Sequence, residues 1–358
     1  MKFTQEWNNL HNSTKTLLLA GLLVQIITAI NSLGYLHPDQ HFQVIEFAGY
    51  KLGLTEAHFL PGEFEKQLRP SLQVYIFVIY YKLLQLINLT DPYTVTLIMR
   101  LIMGLLNFSL FNLLIYLAFR DRGTFFLIVL LVISCFSWPL PYIRVLFSSE
   151  VLGGLVFYAA VYFYQNNRGK AEHLFLPAVG FIFALSFYIR FHVGFALVGL
   201  AIWLVFVDKV TLKAAVLLIG GFVAGCAINV LLDWFYYGNW VLTPYNYFVF
   251  NIIEGGASSF GTYSAWYYVG ILSGLLTAPP LSILLFILLL WGCYKKWDSV
   301  YSLTAFVFIM AHFLVGHKEE RFLFTVVGVL PIVAGYGIEV IQWNRLSRWI
   351  KGLMKGVV

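Results

Sequence analysis

The segment "LTAFVFIMAHFLVGHKEERFLFTVVGVLP", residues 303–331, holds two apolar runs separated by five consecutive polar residues. The runs belong to apolar stretches near 299–316 and 322–341. A helix needs about 20 mostly apolar residues to span a bilayer, and somewhat fewer inside a bundle. Both runs are apolar on nearly every side of a helix, as lipid-embedded helices are. The segment therefore predicts two membrane helices joined by a short polar connection.

The composition of the whole chain agrees with that prediction. The 358 residues are 60% hydrophobic and 18% aromatic, only 11% are charged, and the mean hydropathy is +0.80. A soluble domain of this length needs much more charge to cover its surface. The net charge of +6 is typical of cytoplasmic loops and headgroup contacts, and no basic run is long enough to suggest a nucleic acid partner. The three cysteines lie far apart and form neither a zinc spacing nor an even disulfide set.

Apolar runs of similar length recur along the chain. Besides the two above, they lie near 17–33, 72–87, 93–119, 124–138, 151–165, 174–189, 193–207, 212–232 and 267–292. We predict an all-α polytopic membrane protein, one integral-membrane domain over residues 1–358 with about 10–12 transmembrane helices. The run at 267–292 contains Pro279-Pro280 and is either one kinked helix or two short helices.

Two hydrophilic intervals, 34–71 and 233–266, are much longer than the other connections, and residues 342–358 form a basic tail. We place 34–71 on the outer side of the membrane, because Lys2 and Lys15 precede the first helix.

The first outer loop begins with a polar motif, "HPDQHFQVIEF", residues 37–47. Pro38 suits the first position of a helix, and the helix dipole would stabilise the Asp39 anion in the first turn. In an α-helix Asp39, Gln43 and Glu46 would share one face. The two carboxylates then face either a reactive cleft or the solvent beside an interfacial helix, and the spacing alone leaves both interpretations open.

The second polar cluster is the "HKEER" between the two apolar runs. Its basic residues can bind a phosphate at the level of the lipid headgroups, or pair with its acidic residues in a salt-bridged loop. Arg69, which closes the first loop, is either a phosphate ligand or a headgroup anchor. Arg190 and His192 interrupt an apolar run, and they either break it into two helices or line a polar cavity.

The chain contains no phosphate-binding GxxxxGK[ST] motif, no credible dinucleotide-binding fingerprint and no HExxH. It also has no room for a soluble domain that binds a nucleotide sugar. A reaction here therefore needs a substrate that is already in the membrane.

Taken together, "HPDQHFQVIEF", the following "RP", "FYYGNWVLTPYNYFVFN", "FGTYSAWYY" and "HKEERFLFTVVGVLP" resemble glycosyltransferase family 22 in order and rough spacing. These are the GT-C mannosyltransferases of dolichol-linked oligosaccharide and GPI-anchor assembly. The resemblance implies a GT-C fold, polyprenyl- or dolichyl-phosphate mannose as donor, a glycan or glycolipid as acceptor, and inversion at the anomeric carbon. It implies an active site at the outer or lumenal face, with no metal and no cofactor.

The resemblance also implies roles for individual residues. Asp39 matches the first of two adjacent acids and becomes the expected catalytic base, whereas Gln40 replaces the second acid. Glu46 is expected to bind sugar hydroxyls or to orient Arg69. The expected donor-phosphate ligands are Arg69, His317, Lys318 and Arg321, and Glu319 is expected to bind sugar or orient its neighbours.

The expected function is therefore that of an inverting mannosyltransferase. Because the chain is shorter than the eukaryotic members of the family, we expect a bacterial cytoplasmic membrane rather than the endoplasmic reticulum. One alternative is a lipid-linked-sugar transporter or flippase, which would need the cations but no base. Another is a non-catalytic membrane scaffold.

Overall fold

The computed structural model describes residues 10–167, 172–274 and 280–339. The predicted tail 342–358 and Pro279 lie outside these ranges. Within them every regular element is helical and no strand occurs, which confirms the all-α fold class. The helices of seven or more residues are α1 (Asn12–Asn31), α2 (Leu72–Gln85), α3 (Pro92–Phe119), α4 (Thr124–Phe136), α5 (Pro139–Val145), α6 (Ser149–Asn166), α7 (Glu172–Ile189), α8 (Val193–Ile202), α9 (Leu212–Tyr237), α10 (Tyr267–Gly274), α11 (Leu281–Lys295), α12 (Val300–Leu314) and α13 (Leu330–Ile338).

Shorter helical segments fill the loops. The first loop contains Pro38–Gln40, a π-helical turn His41–Glu46, then Phe47–Leu52, Ala57–Phe59 and Gly62–Glu65. The remaining segments are Arg120–Arg122, Trp203–Val207, Thr243–Phe248, Val249–Ile253, Gly256–Ser259, Glu320–Leu323 and Phe324–Val327.

Each predicted apolar run is helical where it is described, but fewer helices than expected can span a bilayer by themselves. In the described ranges, α1, the stretch Pro92–Arg122 and α9 are long and apolar enough. The number rises to six if three bent pairs each form one span: α4 with α5, α11 with α12, and Glu320–Val327 with α13. Three further apolar helices are shorter, at Leu72–Gln85, His173–Ile189 and Val193–Val207. The expected 10–12 crossings exceed this number, because several apolar runs are short or are bent at a break.

Helix α9 sets one boundary of the site. The side chain of Thr211 accepts a hydrogen bond from the backbone of Ala214 at its N-terminus, and Gly238 ends the helix with a positive φ of 77°. A left-handed residue at this position is the common way to end a helix, and glycine adopts it at little cost. The helix thus continues to Tyr237, so the first five residues of the predicted loop 233–266 belong to α9.

Helices α7 and α9 pack with their backbones in close contact. A Cβ atom at Gly221 would lie 1.9 Å from the carbonyl oxygen of Pro177, and one at Gly180 would lie 2.0 Å from that of Leu218. Small residues at such crossings are typical of membrane helix packing. Helix α7 ends at Ile189, immediately before Arg190, and Tyr188 near this end is an electrostatic neighbour of Asp233 near the end of α9.

Candidate active site

The two polar motifs of the sequence meet in an ion pair. Arg321 Nη2 donates a hydrogen bond of 2.6 Å to Asp39 Oδ2, across 282 residues of chain. Arg321 belongs to the turn Glu320–Leu323, which precedes α13, and Asp39 belongs to the short helix Pro38–Gln40. Both motifs therefore lie on the same side of the protein, as the expected site requires.

Glu319 extends this pair into a network. Its Oε1 lies 2.8 Å from His317 Nε2, and its Oε2 accepts from Arg321 Nε. On the other side, His37 Nε2 lies 3.4 Å from Glu319 Oε2, and His37 Nδ1 accepts from the backbone N–H of Asp39 at 3.2 Å. Arg321 thus bonds to the carboxylates of both Asp39 and Glu319, and these contacts fix the positions of the three side chains relative to one another.

The electrostatics keep Asp39 ionised. Burial by itself would raise the pKa of Asp39, but the charges of Arg321 and Arg69 outweigh it and lower the pKa below the ordinary value of 3.8. The pKa of Glu319 is lowered in the same way, with burial opposed by Arg321. Both groups are therefore anions at neutral pH.

Arg69 stands beside Asp39 but makes its direct contacts with another carboxylate. Its Nε and Nη2 donate to Glu63 at 3.0 and 2.6 Å, a bidentate pair. Burial would lower the pKa of Arg69, but Glu63 raises it, so the cation is retained. Glu63 was not identified in the sequence, where it is one of several charged residues in the loop.

The backbone that carries Arg69 is fixed by α9. Asp233 accepts hydrogen bonds from the backbone and hydroxyl of Ser71, both at 2.7 Å, and from the hydroxyl of Thr243 at 2.6 Å. The Tyr237 hydroxyl donates to the carbonyl of Arg69 at 2.7 Å. Since Asp233 is 1% exposed, its three bonds hold both long loops to the end of this helix. In the sequence, nothing distinguished Asp233 from the rest of the predicted loop 233–266.

Two of the expected phosphate ligands are engaged elsewhere. The ammonium of Lys318 is buried and donates to the carbonyl oxygens of His312 at 3.3 Å, Phe313 at 3.1 Å and Val315. These carbonyls end α12, so Lys318 caps that helix. His317 uses both ring nitrogens, one toward Gly261 O at 2.8 Å and one toward Glu319. The structure thus gives neither side chain a free donor for a phosphate.

Glu46 makes its polar contacts within the first loop, with neither Asp39 nor the 317–321 cluster. Its carboxylate lies 2.8 Å from His41 Nε2 and accepts from the Thr55 hydroxyl at 3.0 Å. Arg69 pairs with Glu63 and not with Glu46 in this structure, and the expectation that Glu46 binds sugar hydroxyls stays a prediction. The face expected to join Asp39, Gln43 and Glu46 is also disrupted, since His41–Glu46 is a π-helical turn with a different residue spacing. Gln40 Oε1 accepts from the Leu36 backbone at 3.2 Å.

A buried ion pair, Arg190 with Glu150, lies next to Arg321. Arg190 Nη2 is 2.9 Å from Glu150 Oε1, with the two side chains 4% and 1% exposed, and the same oxygen is 3.6 Å from Arg321 Nη1. The sequence singled out Arg190 as an interruption of an apolar run, and the chain does break there, between α7 and α8. Glu150 had no such signal, because it opens a helix where an acid is ordinary. No group of three or more His, Cys, Asp or Glu side chains suited to a metal occurs in the described ranges.

Comparison with known proteins identifies the family. A sequence profile of the Alg9-like mannosyltransferase family matches residues 16–356. The chain belongs to this family. It is therefore a multi-pass membrane protein of the GT-C class, as its fold and composition also indicate.

Two curated relatives match nearly the whole of this chain. GPI mannosyltransferase 3 of Yarrowia lipolytica is 26% identical over 340 residues, which cover 94% of this chain and 64% of the relative. Mannosyltransferase APTG1 of Arabidopsis thaliana is 26% identical over 348 residues, 94% of this chain and 60% of the relative. The chain thus spans about three fifths of the length of these relatives.

A shorter match is the probable Dol-P-Man:Man(7)GlcNAc(2)-PP-Dol alpha-1,6-mannosyltransferase of Schizosaccharomyces pombe, 29% identical over 136 residues, or 38% of this chain and 24% of the relative. No solved structure matches at a significant level. The relatives named here are eukaryotic, so they lend no support to the expected bacterial membrane.

Proposed function

We propose that this protein is an inverting mannosyltransferase that moves mannose from a dolichyl- or polyprenyl-phosphate carrier to a glycan or glycolipid acceptor at the outer or lumenal face of the membrane. The observation that carries the proposal is the Asp39–Arg321 pair in a member of a mannosyltransferase family. An ionised carboxylate next to fixed cations, at the edge of a membrane bundle, suits transfer between a lipid phosphate and a hydroxyl group. A flippase would have no use for the carboxylate.

The reaction is a single displacement. The acceptor hydroxyl oxygen attacks the anomeric carbon of mannose while the bond from that carbon to the phosphate oxygen breaks, and the electron pair leaves on the phosphate. The hydroxyl proton passes to Asp39. Since Arg321 holds Oδ2 of Asp39, Oδ1 is the oxygen that receives it. Such positioned proton transfer contributes about 10²–10⁴-fold to the rate.

The test uses the full chain, purified in detergent, with polyprenyl-phosphate mannose and a panel of glycan and glycolipid acceptors. Mass spectrometry would detect one added hexose. We expect Asp39→Asn to lower turnover by about 10²-fold or more while donor binding is retained. Glu56→Gln, an exposed carboxylate in the same loop, is the matched control and should keep full turnover. Absence of transfer by the unmodified protein to any acceptor, or full turnover by Asp39→Asn, would contradict the proposal.

A further inference from the structure

A cleft lies between the end of the first outer loop and the break that separates α7 from α8. The cleft is small and opens to the surface, and its polar lining comes from Gln43, Arg69, Gln73, Ser149, Arg190 and Tyr247. Two arginines from distant parts of the chain thus line one small space. Arg190 pairs with Glu150, whose Oε1 lies 3.6 Å from Arg321 Nη1, and the charge of Arg69 acts on Asp39, so the cleft adjoins the candidate active site.

Arg190, which lines this cleft, has a buried donor without a hydrogen-bond partner among the described residues. The side chain is 4% exposed, and its Nε makes no hydrogen bond to any described residue. Buried donors without a partner are rare in native proteins, because each loses its hydrogen bonds to water without replacement. Glu150 occupies only the Nη2 side of the guanidinium. The planar fork of an arginine can hold one anion on each side, which leaves the Nε side for a second acceptor.

Arg69 and a helix terminus add positive potential to the same space. Glu63 accepts from Nε and Nη2 of Arg69, which leaves Nη1 for another acceptor, and the guanidinium lies 5.4 Å from the ring centre of Tyr247. Ser149 is the first residue of α6, an 18-residue helix. The N-terminus of such a helix favours a phosphate through its free N–H groups and its dipole.

We infer that this cleft binds the phosphate of the lipid-linked donor between Arg69 and Arg190, and that the 317–321 motif does not. The inference rests on the proposed function for the identity of the donor. When the bond from the anomeric carbon to the phosphate oxygen breaks, the phosphate gains one negative charge. The two guanidinium groups stabilise that charge without having to move. Asp39, which needs a proton from the acceptor, remains paired with Arg321.

Binding of radiolabelled polyprenyl phosphate to the full chain in phosphatidylcholine nanodiscs tests the inference without any need for catalysis. We compare Glu150→Gln with Glu150→Gln/Arg190→Gln, because the double variant replaces the buried ion pair by a neutral pair of similar shape. Glu150→Gln should bind at least as tightly as the unmodified protein, since a negative charge near the phosphate is gone. The double variant should bind about tenfold more weakly or worse, because it loses charge-assisted hydrogen bonds.

Two further variants complete the comparison. Arg190→Lys keeps the positive charge beside Glu150 but lacks the Nε side of the guanidinium group, so it should also weaken binding of polyprenyl phosphate. This variant tests the inference even if the double variant does not fold. Arg100→Gln, in α3, removes a guanidinium whose hydrogen bond goes to the Ala29 carbonyl at 2.9 Å, and it should leave binding unchanged.

Equal affinity of Glu150→Gln and the double variant would overturn the inference, and so would equal affinity of Arg190→Lys and the unmodified protein. Displacement of polyprenyl phosphate by equimolar phosphatidic acid would also overturn it, because the cleft would then be a general headgroup site. The two proposals fail separately. If the unmodified protein binds polyprenyl phosphate but transfers no mannose, the proposed function fails alone; if transfer proceeds with an unchanged donor KM in the double variant, the inference fails alone.

Discussion

At the scale of single residues, the positive charge of Arg321 changes the pKa of Asp39, and the direction of the change determines how stability depends on pH. Arg321 favours the anionic form of Asp39, so the folded pKa lies below the ordinary 3.8. The pair therefore stabilises the folded protein at pH values above the pKa that Asp39 has in the unfolded chain. This stabilisation is lost as the pH falls through the lower pKa that Asp39 has in the folded protein. As the proposed catalytic base, Asp39 is therefore in the ionised form that can accept a proton over the whole neutral range.

Replacement of Arg321 by glutamine should shift the pH dependence of transfer. Without the cation, burial raises the pKa of Asp39, so the acid limb of kcat/KM moves to higher pH, alongside a lower rate at neutral pH. The measurement is the pH profile of kcat/KM for Arg321→Gln and for Arg100→Gln, whose acid limb should stay in place. An unmoved acid limb in Arg321→Gln would mean that Asp39 does not titrate as the base.

Lys318 provides a second test at this scale, because its contacts are those of a helix cap. Lys318→Gln leaves carbonyl oxygens at the end of α12 without a charged donor, which should destabilise the protein by about 1–3 kcal/mol. The donor KM should change little. Thermal unfolding in detergent and donor kinetics measure the two effects. A large rise in the donor KM with an unchanged melting temperature would instead support the phosphate-binding role that the sequence suggested.

At the scale of elements, α9 acts as the support for the first outer loop. Asp233 at its C-terminal end holds Ser71 and Thr243, and this fixes the backbone next to Arg69. A loop residue can bind a phosphate with specificity only if its backbone is held by rigid neighbours.

Asp233→Ala should therefore loosen Arg69 and raise the donor KM, in addition to lowering stability. The matched control is Asn229→Ala, one turn earlier on α9. Its side chain is equally buried, but among the described residues it bonds only to Gly225 of its own helix, at 2.8 Å. Donor kinetics and thermal unfolding of both variants separate the two effects. If the donor KM rises equally in Asp233→Ala and Asn229→Ala, then any disturbance of α9 raises it, and the specific role of Asp233 is contradicted.

At the scale of the whole molecule, the loops that bear the site converge on one face. Gln67 donates to Asn239 at 2.9 Å, which joins the first outer loop to the loop after α9, and Tyr263 N donates to Gly316 O at 3.1 Å, which joins that loop to the 317–321 motif. Helix α9 has 26 residues, a length of about 39 Å. Because this length exceeds the hydrocarbon thickness of a bilayer, we expect its beginning at Leu212 to lie at the opposite face of the membrane.

Cysteine labelling checks this arrangement. In a background with the three native cysteines replaced by alanine, Glu56→Cys and Ser258→Cys should react with a membrane-impermeant maleimide from the same side of sealed vesicles. Lys209→Cys, just before α9, should react only after the vesicles are opened or from the other side. Labelling of Glu56→Cys and Ser258→Cys from opposite sides would contradict the convergence of the loops.

The sequence by itself determined the all-helical membrane fold, because long apolar runs and scarce charge have no other stable arrangement in a bilayer. It also identified Asp39 and the 317–321 motif, because polar residues stand out in an apolar chain. Only the tertiary structure decided which charges pair. Lys318 donates to carbonyl oxygens at the end of a helix, and Arg69 pairs with Glu63 rather than Glu46. Glu150 pairs with Arg190 inside the bundle. Pairing depends on distances between residues far apart in the chain, and at those distances composition and local periodicity carry no information.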